Sequence, residues 1–159
     1  MAEIKLKSGE ICLIDDEDFN RISEFKWYLT KGKYARGYIK GDKMRFMHRF
    51  ILSISDPKIM IDHKNRNGLD NRKENLRICT SKQNHSNVEK YKGTSKYKGV
   101  SWDKKSNKWK ASLTTDNKSR HLGFFVDEVE AAKAYDSAAI EIFKEYSCIN
   151  FSEQALKQK

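Results

Sequence analysis

The sequence predicts an α+β fold: an N-terminal mixed sheet module, then a three-stranded antiparallel sheet packed on one helix. Three observations carry this. Residues 1–47 alternate short apolar and polar runs between Gly-containing turns, a pattern of hairpins more than of helices. Residues 60–85 read strand, loop, strand, helix. Residues 97–143 give three strand signals followed by apolar residues at helical spacing.

Taken in order, Ile4, Leu6, Ile11 and Leu13 alternate around Gly9, which predicts a hairpin over residues 3–14. Asp15 to Asp18 then open a short helix holding Phe19, Ile22 and Phe25, since acids suit a helix start. Consecutive acids point in different directions around a helix, so these four read as a solvated terminus and not as a metal site. Trp27 to Leu29, Tyr34 to Ile39 and Met44 to Met47 read as strands joined at Lys31-Gly32-Lys33 and Gly41-Asp42, and the default task of this module is packing support. His48 to Leu52 is a short helix that ends by Ser55-Asp56-Pro57. Met60 to His63 is extended, Asn65 to Asn71 is a turn-rich loop, Leu76 to Cys79 is extended, and Thr80 caps a helix running through Asn84. Residues 86–96 form a basic linker. Strands follow at 99–102, 109–114 and 120–125, in a meander turning at Lys104 to Asn107 and Asp116 to Lys118. Asp127 opens a long helix to about Phe143, with Val129, Ala132, Tyr135, Ala139 and Ile142 on one stripe. Ile149 to Phe151 returns as a packing segment, and residues 152–159 are a tail.

Bulk properties narrow the function. The 159 residues include 32 Lys and Arg against 22 Asp and Glu, a formal charge of +10, with a pI near 9.4. A small protein with that balance is expected to bind an anionic polymer. Apolar runs such as Phe50-Ile51-Leu52 are too short to span a bilayer, and Met1 to Lys5 lacks the apolar stretch of a signal peptide. Cys12, Cys79 and Cys148 make no C-x-x-C half-site and no disulfide framework, which predicts a reduced, cytoplasmic protein without structural zinc.

The chemistry concentrates between Ile61 and Asn84. Phosphodiester cleavage needs an activated water, neutralised phosphate charge and a stabilised leaving oxygen. Asp62 offers a hard oxygen ligand, and Asn84 can present a carbonyl oxygen. Two protein oxygens plus water and phosphate oxygens suit one Mg2+ or Mn2+ ion. His63 is then available as general base, since an imidazole titrates near neutrality. Asn75 can accept the other ring N–H and fix its tautomer. Adjacent strand residues point to opposite faces, so Asp62 and His63 converge only if the strand ends or twists there. The loop that begins one residue later allows this.

His48-Arg49, Asp62-His63, Asn71, Asn75-Leu76-Arg77 and Asn84 together resemble the HNH nucleases, and among them the homing endonucleases of phages and introns. The resemblance implies a ββα-metal hairpin and helix within residues 48–85. It puts Asp62 and Asn84 at the metal positions, His63 at the general base and Asn75 at the residue that orients it. With Asn84 in place of a second His, this is the H-N-N variant, His85 being the lesser candidate for that position. His48 falls at the family's His-Arg, where a structural role is expected and a supporting or phosphate contact is the alternative. Arg49 and Arg77 are candidates for the same kind of contact.

Beyond the linker, Tyr97 to Trp102, Lys108 to Ala111, His121 to Phe125, Glu130 to Ala139 and Ile149 to Phe151 resemble the plant ethylene-response-factor DNA-binding domain of the Apetala-two type. That resemblance implies a sheet laid in the major groove with a helix behind it. Carried over by position, Lys98, Ser101, Thr114 and His121 face DNA. Lys108, Lys110 and Arg120 join them on charge, and Trp102 as an aromatic among basic strands. Ser101, Ser112 and Thr114 stand where the plant domains carry arginines, so their target sequence does not transfer.

The expected whole is a metal-dependent DNA endonuclease. Residues 1–85 cut or nick double-stranded DNA (1–47 sheet-rich, 48–85 the nuclease core), and residues 97–151 hold the duplex. No small-molecule cofactor or membrane is expected, the state is monomer or weak dimer, and the site of action is the nucleoid of a bacterial or phage-infected cell. The alternative is a DNA-binding regulator with a decayed nuclease half. The intact set Asp62, His63, Asn75 and Asn84 favours the enzyme.

Overall fold

A computed structural model describes residues 1–39, 43–88, 93–115 and 118–152. The turn expected at Gly41-Asp42, the middle of the basic linker, the turn residues Asp116-Asn117 and the tail from 153 onward lie outside these. The chain divides into two compact units, Met1–Thr80 and Ser81–Lys159.

In the first unit, β1 (Ala2–Lys5) pairs antiparallel with β2 (Ile11–Ile14). Gly9 turns this hairpin at φ +102°, a backbone angle open to glycine. The acids Asp16–Asp18 form a single 3-10 turn, and α1 is a short helix at Phe19–Ser23. The strands β3 (Trp27–Leu29), β4 (Ala35–Ile39) and β5 (Lys43–Phe46) make an antiparallel sheet in that order. Met47, expected to end the last strand, instead begins α2 (Met47–Ile51). The reason is burial: Met47 is fully enclosed in the unit's core with Ile14, Ile22 and Trp27. Trp27 also donates its indole N–H to the Ile22 carbonyl at 2.9 Å, so the largest core side chain leaves no polar atom unmet.

The strands β6 (Met60–His63) and β7 (Leu76–Cys79) form a two-stranded antiparallel ribbon in which Asp62 faces Arg77 and His63 faces Leu76. The long loop between them is carried by the N-terminal hairpin. Leu13 N donates to Leu69 O at 2.9 Å and Asn71 N donates to Leu13 O at 2.8 Å. Asp15 accepts from Lys73 N at 2.8 Å, while the Lys73 ammonium meets Glu17 and Asp18. The acidic run therefore anchors the loop, and the packing support expected of this module acts on one defined segment.

The second unit begins with α3 (Ser81–Ser86), so residues 81–85, expected to belong with the nuclease core, fall in the unit of the basic sheet. The strands β8 (Val100–Asp103), β9 (Lys108–Thr115) and β10 (Lys118–Phe125) form an antiparallel sheet with β9 central. The helix α4 (Glu128–Phe143) covers one face, and its N-cap Asp127 accepts from Val129 N and Glu130 N. Ala131 and Ala132 pack on Val100 and Ala111, and Tyr135, Ala139 and Phe143 pack on Leu113. Small side chains let the helix lie close to the sheet. Asp136 is fully buried and accepts from Asn150 N, Asn150 Nδ2 and Phe151 N, which ties the returning segment to the helix. No helix among the described residues is long and apolar enough to cross a membrane.

Gly99 sits where this unit tolerates no side chain. Its φ is +76°, and a Cβ there would lie 1.9 Å from the Tyr135 ring. Gly99→Ala is expected to destabilise the second unit by about 3 kcal/mol. Loss of amide-exchange protection across residues 100–143 is the measurement, and unchanged protection would contradict the packing described.

Candidate nuclease site

The β6–β7 loop is closed by its own polar side chains. Asn75 Oδ1 accepts from Asn65 N at 3.0 Å, and Asn75 Nδ2 donates to Asp70 O at 2.7 Å. Asn65 Nδ2 donates to Asp70 Oδ2 at 2.7 Å, and Arg72 forks onto both Asp70 oxygens at 2.8 and 2.7 Å. Asn67 N and Leu69 N are met by the side-chain oxygens of Asn65 and Asn67. The Arg72 bonds hold the Asp70 carboxyl below its ordinary range. Gly68 is required at the tip, because a Cβ there would approach Lys33 O and the Tyr34 ring, each to 2.6 Å.

This loop starts immediately after His63, whose ring is 4% exposed. It lies in an aromatic nest: His48 meets it edge-on at 5.2 Å, Tyr34 lies tilted against it at 5.6 Å, and His48 stacks on Phe46 at 5.4 Å and 13°. Asn71 Oδ1 approaches His63 Nε2 at 3.4 Å. Burial lowers the His63 pKa, only partly offset by Asn71, Asp62 and Asp70. Burial, then His63, then Arg49 push the His48 pKa down to about 3. Both imidazoles are therefore neutral at pH 7, the state in which a histidine can accept a proton. The His48 Nδ1 atom is buried and has no hydrogen-bond partner among the described residues.

Asp62, 6% exposed, is engaged by Arg77, whose Nε and Nη2 reach Asp62 Oδ2 at 2.9 and 2.6 Å. It is a buried hard-oxygen donor held in place by a cation. Among the described residues no three His, Cys, Asp or Glu side chains come together as a metal cluster. The buried Asp62 carboxylate is the kind of oxygen donor a hard divalent ion takes, with most of that ion's other ligands coming from water and substrate. Asn84 lies on α3, in the second unit.

Other expected site residues find varied surroundings. The Asn75 amide serves the loop backbone, while the carboxamide at the His63 ring belongs to Asn71. Arg49 donates to the carbonyls of Ile59, at 2.9 Å, and Asp56. His85 Nδ1 lies 2.7 Å from Ser81 O. In the second unit, register puts Ser101, Lys108, Lys110, Thr114 and His121 on the face away from α4. Trp102 aligns with Trp109 and meets it edge-on at 5.0 Å, and exposed Arg120 aligns with Leu113. The Lys98 ammonium donates to Ser86 O and Val88 O, each at 2.6 Å. Tyr34, which meets His63, and Phe46, which meets His48, carry no signal in the sequence; the fold alone brings them into the nest.

Two outcomes follow from this geometry. Arg77→Met leaves the buried Asp62 carboxylate without its ion pair and should lower stability by about 3 kcal/mol, read from urea unfolding of the full chain. His48 is neutral when folded and titrates near 6.5 when unfolded, so the unfolded state takes up the extra proton. Its contribution is complete above pH 6.5 and is lost as pH falls towards 3. His48→Phe, which keeps a ring on Phe46, should therefore show a smaller drop in melting temperature between pH 7 and 4.5 than wild type. An equal drop would show that His48 does not carry this acid sensitivity.

Comparison with known proteins bears on this site directly. Residues 33–86 match the profile of a family described as HNH endonuclease. A protein of Acanthamoeba polyphaga mimivirus, named as an uncharacterized HNH endonuclease, is 32% identical over 149 residues, 89% of this chain and 75% of that one. An AP2-like ethylene-responsive transcription factor of Arabidopsis thaliana is 33% identical over 67 residues, 42% of this chain and 19% of its own length. Protein 3.8 of Escherichia phage T7 is 36% identical over 63 residues, 39% of this chain and 52% of its own. No solved structure matches. With the profile lying over the β6–β7 ribbon and the mimivirus relative aligned along most of both chains, this chain belongs to the HNH endonuclease family.

Proposed function

We propose that the chain is a metal-dependent, homing-type DNA endonuclease that hydrolyses a phosphodiester at the β6–β7 ribbon. The observation that carries this reading is a buried, neutral His63 one residue from a buried Asp62, with the following loop fixed by Asp70, Asn75 and Arg72. His63 takes the proton from the attacking water. Asp62, with Asn84 as the expected second ligand, would hold one Mg2+ or Mn2+ ion, whose chemistry would be to neutralise phosphate charge and stabilise the leaving oxygen. Asn75 acts as a positioning residue, fixing the chain that leaves His63, and Asn71 steadies the ring. The nest of Tyr34, Phe46 and His48 keeps water from the rear of the imidazole and holds it uncharged.

The sheet face carrying Ser101, Lys108, Lys110, Thr114 and His121 binds the duplex, its lysines meeting phosphates and its smaller side chains setting register. The likeness to a plant protein named as a transcription factor supports that assignment. Relatives in a giant virus and a phage suit a mobile nuclease acting in the cytoplasm of an infected cell.

The test is cleavage of target-bearing supercoiled plasmid with Mg2+ or Mn2+. His63→Ala should cut at least about 100-fold more slowly, with duplex affinity nearly unchanged. The acidic limb of the wild-type rate should lie below 6.5, because burial keeps His63 neutral at lower pH than a free imidazole. Wild-type protein that leaves the plasmid intact under both metals would end the enzyme reading. Lys110→Glu should weaken duplex binding while leaving residues 1–80 folded as before.

A further inference from the structure

We propose that a groove in the first unit, lined by Arg36, Arg45 and Arg49, binds a phosphodiester of the nucleic-acid backbone beside the His63 ribbon. The inference rests on the reading of DNA as the substrate and gives the first unit a grip of its own, separate from the sheet of the second. The groove has a volume of about 470 Å³ and runs along β5 towards the turn holding Ser55 and Pro57. The strand β5 is an edge of its sheet, so the groove opens where no further strand pairs. A water occupies about 30 Å³, so a phosphate with part of its hydration shell fits.

Among the described residues lining the groove none is acidic. Three guanidiniums in one small concavity repel one another unless an anion joins them. Each has a distinct state. Arg49 is committed to the carbonyls of Ile59 and Asp56, so it fixes one wall while its charge remains. Arg36 lies over the Phe46 ring at 5.3 Å, and its Nε is buried without a hydrogen-bond partner among the described residues. A buried donor left unmet is costly, and a phosphate oxygen would satisfy it. Arg45 has no ion-pair partner among the described residues. Guanidinium is the group best matched to phosphate, since its planar fork can donate two bonds to one anion.

The groove is joined to the candidate base by packed rings. Arg36 covers Phe46, Phe46 stacks on His48 at 5.4 Å, and His48 meets His63 at 5.2 Å. A DNA strand presents one phosphate per roughly 3.4 Å of helix axis. The phosphate held in the groove is therefore within a few nucleotides of the one at His63, close enough to position the strand under attack.

The experiment titrates a fluorescent duplex with the full chain, without divalent metal, between 50 and 300 mM KCl. Wild type is compared with Arg45→Gln, Arg45→Lys and Arg36→Gln/Arg45→Gln. Arg45→Gln should reduce the slope of log affinity against log salt by about one, and the double variant by about two. Arg45→Lys should restore most of the slope. Since Arg36 packs on Phe46, Arg45→Gln alone decides the matter if the double variant fails to fold. A wild-type slope in folded Arg45→Gln overturns the proposal, as does a wild type that binds no duplex. A reduced slope in Arg45→Gln with no cleavage by wild type would remove the nuclease reading and leave the groove standing.

Discussion

The structure around the candidate site depends on one constraint: a long loop whose one regular piece is the 3-10 turn Lys73–Asn75 must satisfy its backbone polar groups where it is buried. Asp70 and Asn75 do most of this. Both are nearly inaccessible, and between them they meet Asn65, Arg72 and the Asp70 carbonyl. The bridge from β2 to Asp70 then fastens the closed loop to the N-terminal hairpin. Because the loop leaves directly from His63, every one of these bonds also limits where that ring can lie. The site is thus positioned by polar satisfaction on one side and by ring packing on the other.

The two sides have different electrostatic effects. The polar side places Asp62, Asp70, Arg72 and Arg77 in close pairs, which cancel charge locally. The ring side removes water from His48 and His63 and makes their protonation unfavourable. A neutral imidazole and a carboxylate paired to a guanidinium thus lie side by side in one ribbon. The unmet Nδ1 of His48 is the visible cost of this arrangement.

Much of this was legible in the sequence, and the exceptions share a cause. Alternation around Gly9 announced the first hairpin, and the spacing of Ala132, Tyr135 and Ala139 announced α4, because both signals are local. The Asx turns of Asn65 and Asn67 followed from residue type. What escaped depends on contacts between distant segments. Asp15 and Glu17 looked like a solvated helix start, yet they hold Lys73 across more than fifty residues of chain. Residue type alone did not tell Asn71 from Asn75 as the neighbour of the imidazole, since both sit in the same turn-rich stretch. Lys98 reads as DNA-facing by its position in the resemblance, but its ammonium donates to two backbone carbonyls. Met47 read as strand because its neighbours do, and its burial set the helix boundary instead.

The bonds around Lys98 also bear on how such proteins can be assembled by recombination. Lys98 meets Ser86 and Val88, and Ser86 in turn donates to Tyr146 O at 2.7 Å. The short helix α3 is thereby sewn into the same unit as the basic sheet. A gene crossover within residues 86–96, the natural place to cut by composition, would sever those bonds. One at residues 80/81 would leave both interiors whole. Asn84 would then travel with the sheet and not with the ribbon that carries Asp62 and His63, so an exchange of the second unit would replace one proposed metal ligand along with the basic sheet face.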